Sequence, residues 1–290
     1  MKLVTYSING KTSIGKVVDG LVIDLANAYD GAPQSILGIL QGGQEVLSRL
    51  DQIKPSDVAT TYRLDEVNLE APLSNPQKYL AIGLNYQDHV DEIIKRGGKA
   101  PEHQLWFNKQ VSCITGPYDP IHLPKVSSAL DYEGELGVVI GKRCRHVSEA
   151  DAASVIAGYM VLDDVTARDW QRQTTQWTLG KSFDTHGPMG PWLTTAEEIA
   201  DPKSLEMRLF VNGELRQKTL IGGMVYSIAA QIAHLSQVMT LEPGDILATG
   251  TCSGAGFGFN PQRFLQVGDV VRVEIDQLGH IENTVIAEPV

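Results

Sequence analysis

The sequence predicts an α+β protein with a small N-terminal α+β domain, residues 1–70, and a larger, strand-rich domain, residues 71–290. Short β-branched segments separated by turn residues recur along the chain, whereas few stretches show helical periodicity. Residues 69–78 contain two prolines, a serine and an asparagine, which is typical of a linker. We therefore place the boundary between the two domains at about residue 71.

The first domain is predicted to begin with short hairpins. Three strands are expected, at residues 2–7, 14–18 and 21–25. Asn9-Gly10 and Asp19-Gly20 lie between them, and these are the residue pairs that two-residue hairpin turns prefer. Helical patterns follow at residues 36–40 and 45–53.

The larger domain opens with a strand at residues 78–82, followed by a helical stretch. His89 and Glu92 are three residues apart, so they share one helix face, where the carboxylate can orient the imidazole and raise its basicity. The alternative is an ordinary exposed pair. The polar, glycine-containing run at residues 95–99 predicts that residues 85–100 are mobile without ligand and close over a bound substrate.

An acidic strand occupies the centre of the sequence. Residues 130–142 are predicted to form a buried or half-buried strand, on which alternation places Glu133 and Glu135 on one face. A second apolar strand, residues 158–162, runs into Asp163-Asp164. Buried carboxylates that meet need a proton or a cation, and oxygen ligands without paired His or Cys indicate Mg2+, Mn2+ or Ca2+ rather than zinc. The alternative is a solvated pair of glutamates on an exposed strand.

Basic and polar side chains accompany the acidic strands. Lys109 lies among apolar neighbours, and Arg168 and Gln171 share one face of the helix that follows Asp164. A lone lysine is usually solvated, but Lys181 beside a carboxylate-held metal could stabilise developing negative charge. In that case we expect its replacement to impair catalysis and to change thermal stability little.

The C-terminal part is predicted to be rich in strands. They are expected at residues 205–211, 214–218 and 246–249 and twice within residues 268–286. Residues 227–239 form the clearest amphipathic helix, whose expected role is packing. The glycine-rich loop at residues 250–256 could present backbone amides and the Thr251 hydroxyl to an anion, but it lacks a P-loop lysine, so nucleotide binding is not expected.

Composition argues against several classes of function. The net charge of −11 argues against nucleic acid or an anionic membrane as a partner. No run approaches the ~18 apolar residues of a membrane span, and the N-terminus does not resemble a signal peptide. The three cysteines fit neither a disulfide framework nor a metal site, so we expect a reducing compartment, by default the cytoplasm. An anionic substrate would need a local cationic pocket in so acidic a protein.

Five motifs occur in order along the chain. They are Asn85-Tyr86 with His89 and Glu92, D-Y-E-G-E-L-G-V-V-I-G, D-V-T-A-R-D-W-Q, L-G-K-S-F-D-T and A-T-G-T-C-S-G. From about residue 70 to the end, the chain thereby resembles the fumarylacetoacetate hydrolase family, and residues 1–70 resemble the small domain of many bacterial members. The resemblance implies a mixed β-roll or β-sandwich catalytic domain, a homodimer and a divalent metal, usually Mg2+ or Mn2+, with Ca2+ as a substitute in crystals.

The same resemblance implies roles for individual residues. Glu133, Glu135 and Asp164 match the metal ligands, and His89 with Glu92 matches a water-activating pair on a lid. Substrate-contacting positions are matched by Arg168, Gln171, Lys181 and Thr251 and, less closely, by Lys109.

Two residues depart from the family pattern. Asp163 stands where Asn is frequent, and it adds either a carboxylate near the site or a surface charge. Cys252 replaces the usual proline in a loop that touches substrate in relatives.

The substrates of the family share a 2-oxo acid end, so the expected partner is a small anionic 2-oxo acid. Our leading hypothesis is metal-dependent hydrolysis of a C–C bond in a 3-acylpyruvate such as fumarylpyruvate, in aromatic or sugar-acid catabolism, releasing pyruvate through an enolate. His89 would activate the water, and Lys181 and Arg168 would stabilise the enolate. The alternatives are an oxaloacetate decarboxylase or tautomerase of the same family and a non-catalytic protein with a structural Ca2+.

Overall fold

The computed structural model describes residues 1–289, and its elements confirm the predicted α+β class. The N-terminal part contains β1 (Lys2–Ile8), β2 (Lys11–Val18), β3 (Leu21–Asp24), α1 (Ile36–Gln41), α2 (Gly43–Gln52), β4 (Thr61–Arg63) and β5 (Asn68–Glu70).

Both hairpin turns predicted for the N-terminal part are present. Asn9 and Asp19 have φ values of 51° and 50°, and each is followed by a glycine with positive φ, the backbone that two-residue hairpins require.

The larger part contributes the remaining strands and helices. Its first half contains β6 (Tyr79–Gly83), α3 (Gln87–Lys95), β7 (Leu105–Asn108), β8 (Ile114–Thr115), β9 (Ile121–Leu123), β10 (Leu130–Asp131), β11 (Gly134–Ile140), β12 (Ile156–Asp163) and β13 (Thr166–Ala167). Its second half contains α4 (Arg168–Gln171), α5 (Thr178–Lys181), β14 (Gly187–Thr195), β15 (Glu206–Val211), β16 (Glu214–Leu220), α6 (Ile228–Val238), β17 (Ile246–Ala248), β18 (Val270–Ile275) and β19 (Gly279–Ala287). The predicted hairpin at Asn212-Gly213 and the amphipathic helix before Met239 are both present.

One large mixed sheet joins the two parts of the chain. Its strand order is β4-β3-β2-β1-β14-β12-β11-β17-β6-β7, with β5 beside β1 and β8 beside β14. Lys2 of β1 lies opposite Thr194 of β14, so the first residues of the chain extend the sheet of the larger part. The division into residues 1–70 and 71–290 stays a prediction about folding units, since sheet hydrogen bonds cross it.

A second sheet packs on one face of the first. Its order is β16-β15-β18-β19-β9, and β15 and β18 alternate buried with partly exposed residues, as strands with one covered face do. Buried side chains of both sheets, including Leu136, Val138 and Val161 from one and Leu209 and Val273 from the other, form a common core. This face-to-face arrangement agrees with the expected β-sandwich character.

Helices α1 and α2 cover the opposite face of the large sheet. Ile36, Ile39 and Leu50 pack with Val139 and Met160, which alternate along their strands with the residues of the first core. The central strands β11 and β12 are therefore buried on both faces. None of the helices within residues 1–289 combines the length and the apolar character that a membrane crossing requires.

The strand directions bring four chain segments to one edge of the large sheet. Because β11 is antiparallel to β12 and β17, its beginning lies beside the ends of both neighbours. Strand β6 runs parallel to β17, so its end lies at the same edge. The residues that precede β11 and those that follow β6, β12 and β17 therefore converge, and these segments carry most of the predicted site residues.

Candidate active site

Three carboxylates meet where β11 begins and β12 ends. The pairing of Gly134 with Asp163 brings Glu133, Glu135 and Asp164 together, and one oxygen from each lies within 4.8 Å of the others. All three side chains are buried. The structure thus assembles the three side chains that the sequence nominates as metal ligands.

The path of the chain through this cluster differs from the prediction in one respect. Glu133 does not lie on a continuous strand, because the acidic stretch is divided into β10 and β11. In the gap, the Glu133 N–H donates to Asp163 at 2.8 Å, and the Asp164 N–H donates to the Glu133 carbonyl at 2.8 Å. Glu133 and Glu135 nevertheless line the same cavity.

Two buried lysines hold the Asp164 carboxylate. Lys181 Nζ lies 2.6 Å from Asp164 Oδ2 and also donates to Glu133. Lys109 Nζ lies 2.6 Å from Asp164 Oδ1 and donates to the backbone carbonyls of Val165 and Lys181. Lys109 does not line the cavity. Its predicted contact with substrate is therefore replaced by a role in orienting Asp164.

Arg168 is anchored from three sides. Its Nη2 donates to Glu133 at 2.7 Å, its Nε to Asp131 at 2.8 Å and its Nη1 to the Gln171 Oε1 at 3.1 Å. Because Gln171 accepts this bond with its oxygen, its amide nitrogen is available to donate to a ligand. Both side chains line the cavity, in agreement with their predicted position on one face of α4.

The electrostatic environments of the two glutamates differ. Burial disfavours the ionised form of Glu133, but the positive charges of Arg168 and Lys181 outweigh it and hold its pKa well below the usual range. Burial raises the pKa of Glu135 well above its usual value, and the negative charges of Asp164 and Glu133 add to the rise. Glu135 is thus the ligand candidate that lacks a sufficient counter-charge from the protein.

Asp163 is a buried carboxyl group at the site and not a surface charge. Its Oδ1 accepts the bond from the Glu133 N–H, and its Oδ2 has no partner among residues 1–289. Burial raises the pKa of Asp163 to about 7, although the Glu133 N–H opposes the rise. This departure from the family pattern therefore adds a second carboxyl group without a cationic partner.

The donor set fits a divalent cation. Five buried acids face three buried bases in this part of the structure, which leaves two negative charges to balance when all are ionised. The acids are Asp131, Glu133, Glu135, Asp163 and Asp164, and the bases are Lys109, Arg168 and Lys181. Within the described chain Glu135 accepts one hydrogen bond, from the Gly250 N–H at 2.8 Å, so its other oxygen is free for a ligand. Oxygen donors alone favour Mg2+ or Mn2+.

The His89–Glu92 pair is at the same cavity. His89 Nδ1 lies 3.1 Å from Glu92 Oε2, and since an ionised carboxylate only accepts, Nδ1 carries the proton and Nε2 is the basic nitrogen. The His89 side chain is 6% exposed and lines the cavity, so the pair is not surface decoration. The geometry suits a general base oriented by a carboxylate.

The glycine-rich loop after β17, which in the structure continues beyond the predicted residues 250–256 to Gly258, holds helix α3 in place. The Ser253 hydroxyl donates to Asp88 at 2.7 Å, and Arg96 donates to the Gly258 carbonyl. A Cβ atom on Gly258 would lie 2.0 Å from the Glu92 Oε1. The loop can therefore approach the His89–Glu92 pair (the dyad) this closely only because residue 258 is glycine.

Thr251 connects this loop to the start of β11. Its hydroxyl donates to the Gly134 carbonyl and accepts from the Gln217 amide, both at 2.8 Å. The hydroxyl proton is therefore not free for an anion, although Thr251 lines the cavity. Gln217, which also accepts from the Gly134 N–H, was not singled out from the sequence, where it is one polar residue of the predicted strand at residues 214–218.

A cavity of about 350 Å3 opens in front of the carboxylates, and all predicted site residues except Glu92, Lys109 and Asp164 line it.

Asp131 was not predicted as a site residue from the sequence. Its carboxylate accepts from the backbone N–H groups of Gly256 and Phe257 at 2.7 and 3.0 Å. Asp131 thereby ties the glycine-rich loop to Arg168. Asp131 lies two residues before Glu133, and this continuation of the Glu133–Glu135 alternation could have identified it as a site residue. The cavity residues Arg172, Trp177 and Phe257 had no comparable signal.

Comparison with known proteins adds independent information. The family model described as fumarylacetoacetate (FAA) hydrolase C-terminal matches residues 78–286. A mitochondrial oxaloacetate tautomerase of Xenopus laevis is 43% identical over 270 residues, which cover 92% of this chain and 83% of that protein. An oxaloacetate tautomerase of Bacillus subtilis (strain 168) is 39% identical over 303 residues, with 98% and 100% coverage.

Solved structures with similar folds include enzymes of two reaction types. The maleylpyruvate hydrolase of Sphingobium sp. SYK-6, in complex with manganese(II) ion and pyruvate, has a TM-score of 0.84 and 32% identity, with all of both chains covered. The 5-carboxymethyl-2-hydroxymuconate delta-isomerase of Mycobacterium smegmatis has a TM-score of 0.78 and 31% identity, with 99% of this chain and all of that chain covered.

Proposed function

Because this chain belongs to the fumarylacetoacetate hydrolase family, we propose that it catalyses the keto–enol tautomerisation of oxaloacetate. The observation that carries the proposal is the 39–43% identity to oxaloacetate tautomerases over nearly the whole chain. Our leading hypothesis from the sequence, acylpyruvate hydrolysis, becomes the second candidate. The hydrolase candidate is supported by the similarity to the maleylpyruvate hydrolase. At 32%, that identity is lower than the identity to the tautomerases.

The carboxylate cluster supplies the first component of the proposed site. Glu133, Glu135 and Asp164 would hold a divalent metal, which when bound acts as a Lewis acid toward a 2-oxo acid. Lys109 and Lys181 fix Asp164 from both sides, so the donor oxygens are positioned before any ligand arrives.

The dyad supplies the proton transfer. His89 Nε2 would remove a proton from C3 of the keto form, and the electron pair of that C–H bond becomes the C2–C3 double bond of the enol. The 2-oxo oxygen takes up a proton in exchange, so atoms and charge balance between the two tautomers. Glu92 keeps the imidazole in the required tautomer and stabilises its protonated form.

The positive side chains support the intermediate charge. Lys181 lies in the cavity beside Glu133, and Arg168 lines the same wall. Their charges would stabilise the enolate that forms when C3 loses its proton. Tautomerisation needs no bound water, whereas hydrolysis would use the same base to activate one.

The enol absorbance of oxaloacetate and the release of pyruvate distinguish the candidates. For a tautomerase, we expect the protein with Mn2+ to accelerate the approach to keto–enol equilibrium and to form pyruvate no faster than Mn2+ alone does. Pyruvate formed from oxaloacetate faster than with Mn2+ alone would instead identify a decarboxylase, and pyruvate from an acylpyruvate a hydrolase. No acceleration of the oxaloacetate equilibrium would overturn the proposal.

We expect His89→Ala to slow tautomerisation by about 10²–10⁴-fold, the usual contribution of a general base. Glu92→Gln should cost less, because its amide still fits beside the imidazole but carries no charge. His234→Ala, at an exposed position on α6, is the matched control and should have the wild-type rate. An unchanged rate in His89→Ala would place the dyad outside the mechanism. In the decarboxylase alternative, loss of His89 should matter much less, since no proton is abstracted from carbon.

A further inference from the structure

Arg172 lies in the cavity without a counter-charge. Arg168 and Lys181, the other two permanent cations of the lining, are each paired with buried carboxylates of the cluster. Within residues 1–289 the Arg172 guanidinium forms neither an ion pair nor a hydrogen bond, and its side chain is exposed at the cavity mouth. The cavity therefore has one cation that is not paired with a carboxylate of the described chain.

Two contacts of Arg172 place it beside Arg168 and Phe257. Its backbone N–H donates to the Arg168 carbonyl at the end of α4. Its guanidinium lies 5.7 Å from the centre of the Phe257 ring, and that of Arg168 lies 4.4 Å from the same ring. Partial burial, together with the positive charge of Arg168, lowers the pKa of Arg172. The two guanidinium groups thus share one aromatic ring, Arg168 toward the carboxylate cluster and Arg172 toward solvent.

We propose that Arg172 binds the second carboxylate of a dicarboxylic 2-oxo acid and so determines specificity at that end of the substrate. The inference rests on the proposed function, because the 2-oxo end of the substrate is taken to lie at the carboxylate cluster. Arg168 contacts the cluster through Glu133 and shares the Phe257 ring with Arg172, which connects the cluster to Arg172 along the cavity lining. A planar guanidinium is well suited to a carboxylate, which it can bind through two parallel hydrogen bonds.

An uncharged substrate end would leave the charge at this position without a partner. Apart from its charged residues, the cavity lining includes apolar and neutral side chains such as Trp177, Ile93 and Thr174. A methyl or acyl group placed there would remove water from Arg172 and offer it no acceptor, which is unfavourable. The lining therefore favours an anionic end over an apolar one of the same size.

The test compares two acids that differ at that end alone. Oxaloacetate and 2-oxobutyrate have the same 2-oxo end, and a methyl group in the second replaces the distal carboxylate of the first. Binding to the Mn2+-loaded protein can be followed within seconds by tryptophan fluorescence, because Trp177 lines the cavity. The variants are Arg172→Gln and Arg172→Lys, and Arg145→Gln, at an exposed position outside the cavity, is the control with the same change in charge.

We expect the wild type and Arg145→Gln to bind oxaloacetate more tightly than 2-oxobutyrate by about 10-fold or more, the scale of a charge-assisted hydrogen bond. Arg172→Gln should lose this preference with little change in the Kd for 2-oxobutyrate, and Arg172→Lys should retain part of it. Equal binding of the two acids by the wild type, or an unchanged preference in Arg172→Gln, would overturn the inference and leave the proposed function standing. A preference that depends on Arg172 in a protein that does not tautomerise oxaloacetate would support the inference and overturn the function.

Discussion

At the scale of single residues, the site is governed by how each buried charge is balanced. Lys181 is 1% exposed and lies between Glu133 and Asp164. Burial opposes its protonated form, but the two carboxylates outweigh that effect and raise the pKa of Lys181. These ion pairs lead us to replace the expectation that its substitution changes stability little. Without Lys181, Asp164 keeps only Lys109 and Glu133 keeps only Arg168 as cationic partners, so buried negative charge is left uncompensated.

We expect Lys181→Met to destabilise the metal-free protein by about 3–5 kcal/mol, the cost of breaking a buried ion pair. It should also slow turnover by about 10²–10³-fold, as loss of an electrostatic donor does. Urea denaturation and initial rates measure the two effects. Lys142→Met, at an exposed position, should change neither. A variant of Lys181 with wild-type stability and rate would show that its charge has no role.

Glu135 presents the opposite case, a buried acid with too few positive neighbours. Because burial and the nearby carboxylates raise its pKa, Glu135→Gln should not lower the melting temperature of the metal-free protein. The rise in melting temperature on adding Mn2+ should shrink, and turnover should be lost, since a ligand oxygen is replaced by an amide. Glu149→Gln, at an exposed position, is the control. Full activity of a metal-stripped wild type would refute the metal site itself.

At the scale of elements, helix α3 and the loop after β17 act as one unit. Asp88 and Arg96 bind the loop from the two ends of the helix, and Phe257 of the loop lies 5.7 Å from the His89 ring in an edge-to-face arrangement. These contacts hold α3 closed against the cavity in the structure. The prediction that residues 85–100 are mobile without ligand stays open to hydrogen-exchange measurements with and without a 2-oxo acid.

Gly258→Ala tests this contact. The added Cβ would lie 2.0 Å from the Glu92 Oε1, so the Glu92 side chain must move away from His89. We expect a several-fold lower kcat with a melting temperature close to that of the wild type, because the group that moves is the end of a flexible side chain. Gly223→Ala, whose Cβ would meet its nearest neighbour at 3.6 Å, should keep the full rate. Equal rates in the two variants would show that the loop does not position the dyad.

At the scale of the whole molecule, a buried histidine makes stability depend on pH. His186, just before β14, donates from Nε2 to the His122 carbonyl at 3.1 Å, and burial lowers its pKa to about 3. The unfolded chain, with a histidine pKa of about 6.5, binds a proton that the folded protein does not bind between these values. The contribution of neutral His186 is therefore complete above about pH 6.5 and is lost as the pH falls toward 3.

We expect His186→Gln to be less stable than the wild type at pH 7.5 but to lose less stability on acidification. Between pH 6.5 and 5.5 the wild type should lose about 1 kcal/mol more of its unfolding free energy than His186→Gln loses. The limit for one proton is about 1.4 kcal/mol per pH unit. Urea denaturation at several pH values measures it. His234→Gln, at an exposed position, should keep the wild-type slope. Parallel slopes for His186→Gln and the wild type would contradict this assignment.

The elements that the sequence predicts well are those with strong local signals. The turns after β1 and β2, the hairpin at Asn212-Gly213 and helix α6 depend on turn residues and on periodicity within a few positions. The order of the strands had no such signal. Strand β1 pairs with β14 across most of the chain, and contacts of that kind are set by the packing of whole layers. The homodimer stays a prediction, which light scattering in solution can test.

The sequence by itself determined the fold class, the family and the three carboxylates, because each is carried by short motifs whose residues are neighbours along the chain. The tertiary structure decided what surrounds those carboxylates. Asp163 is buried at the site, and Lys109 lies behind Asp164. Gln217 is hydrogen-bonded to Gly134, which is 83 positions away in the sequence. The tertiary structure also left Arg172 without a counter-charge in the cavity. The physical reason is that burial and charge pairing depend on side chains brought together from distant segments, and local sequence patterns do not encode which segments will meet.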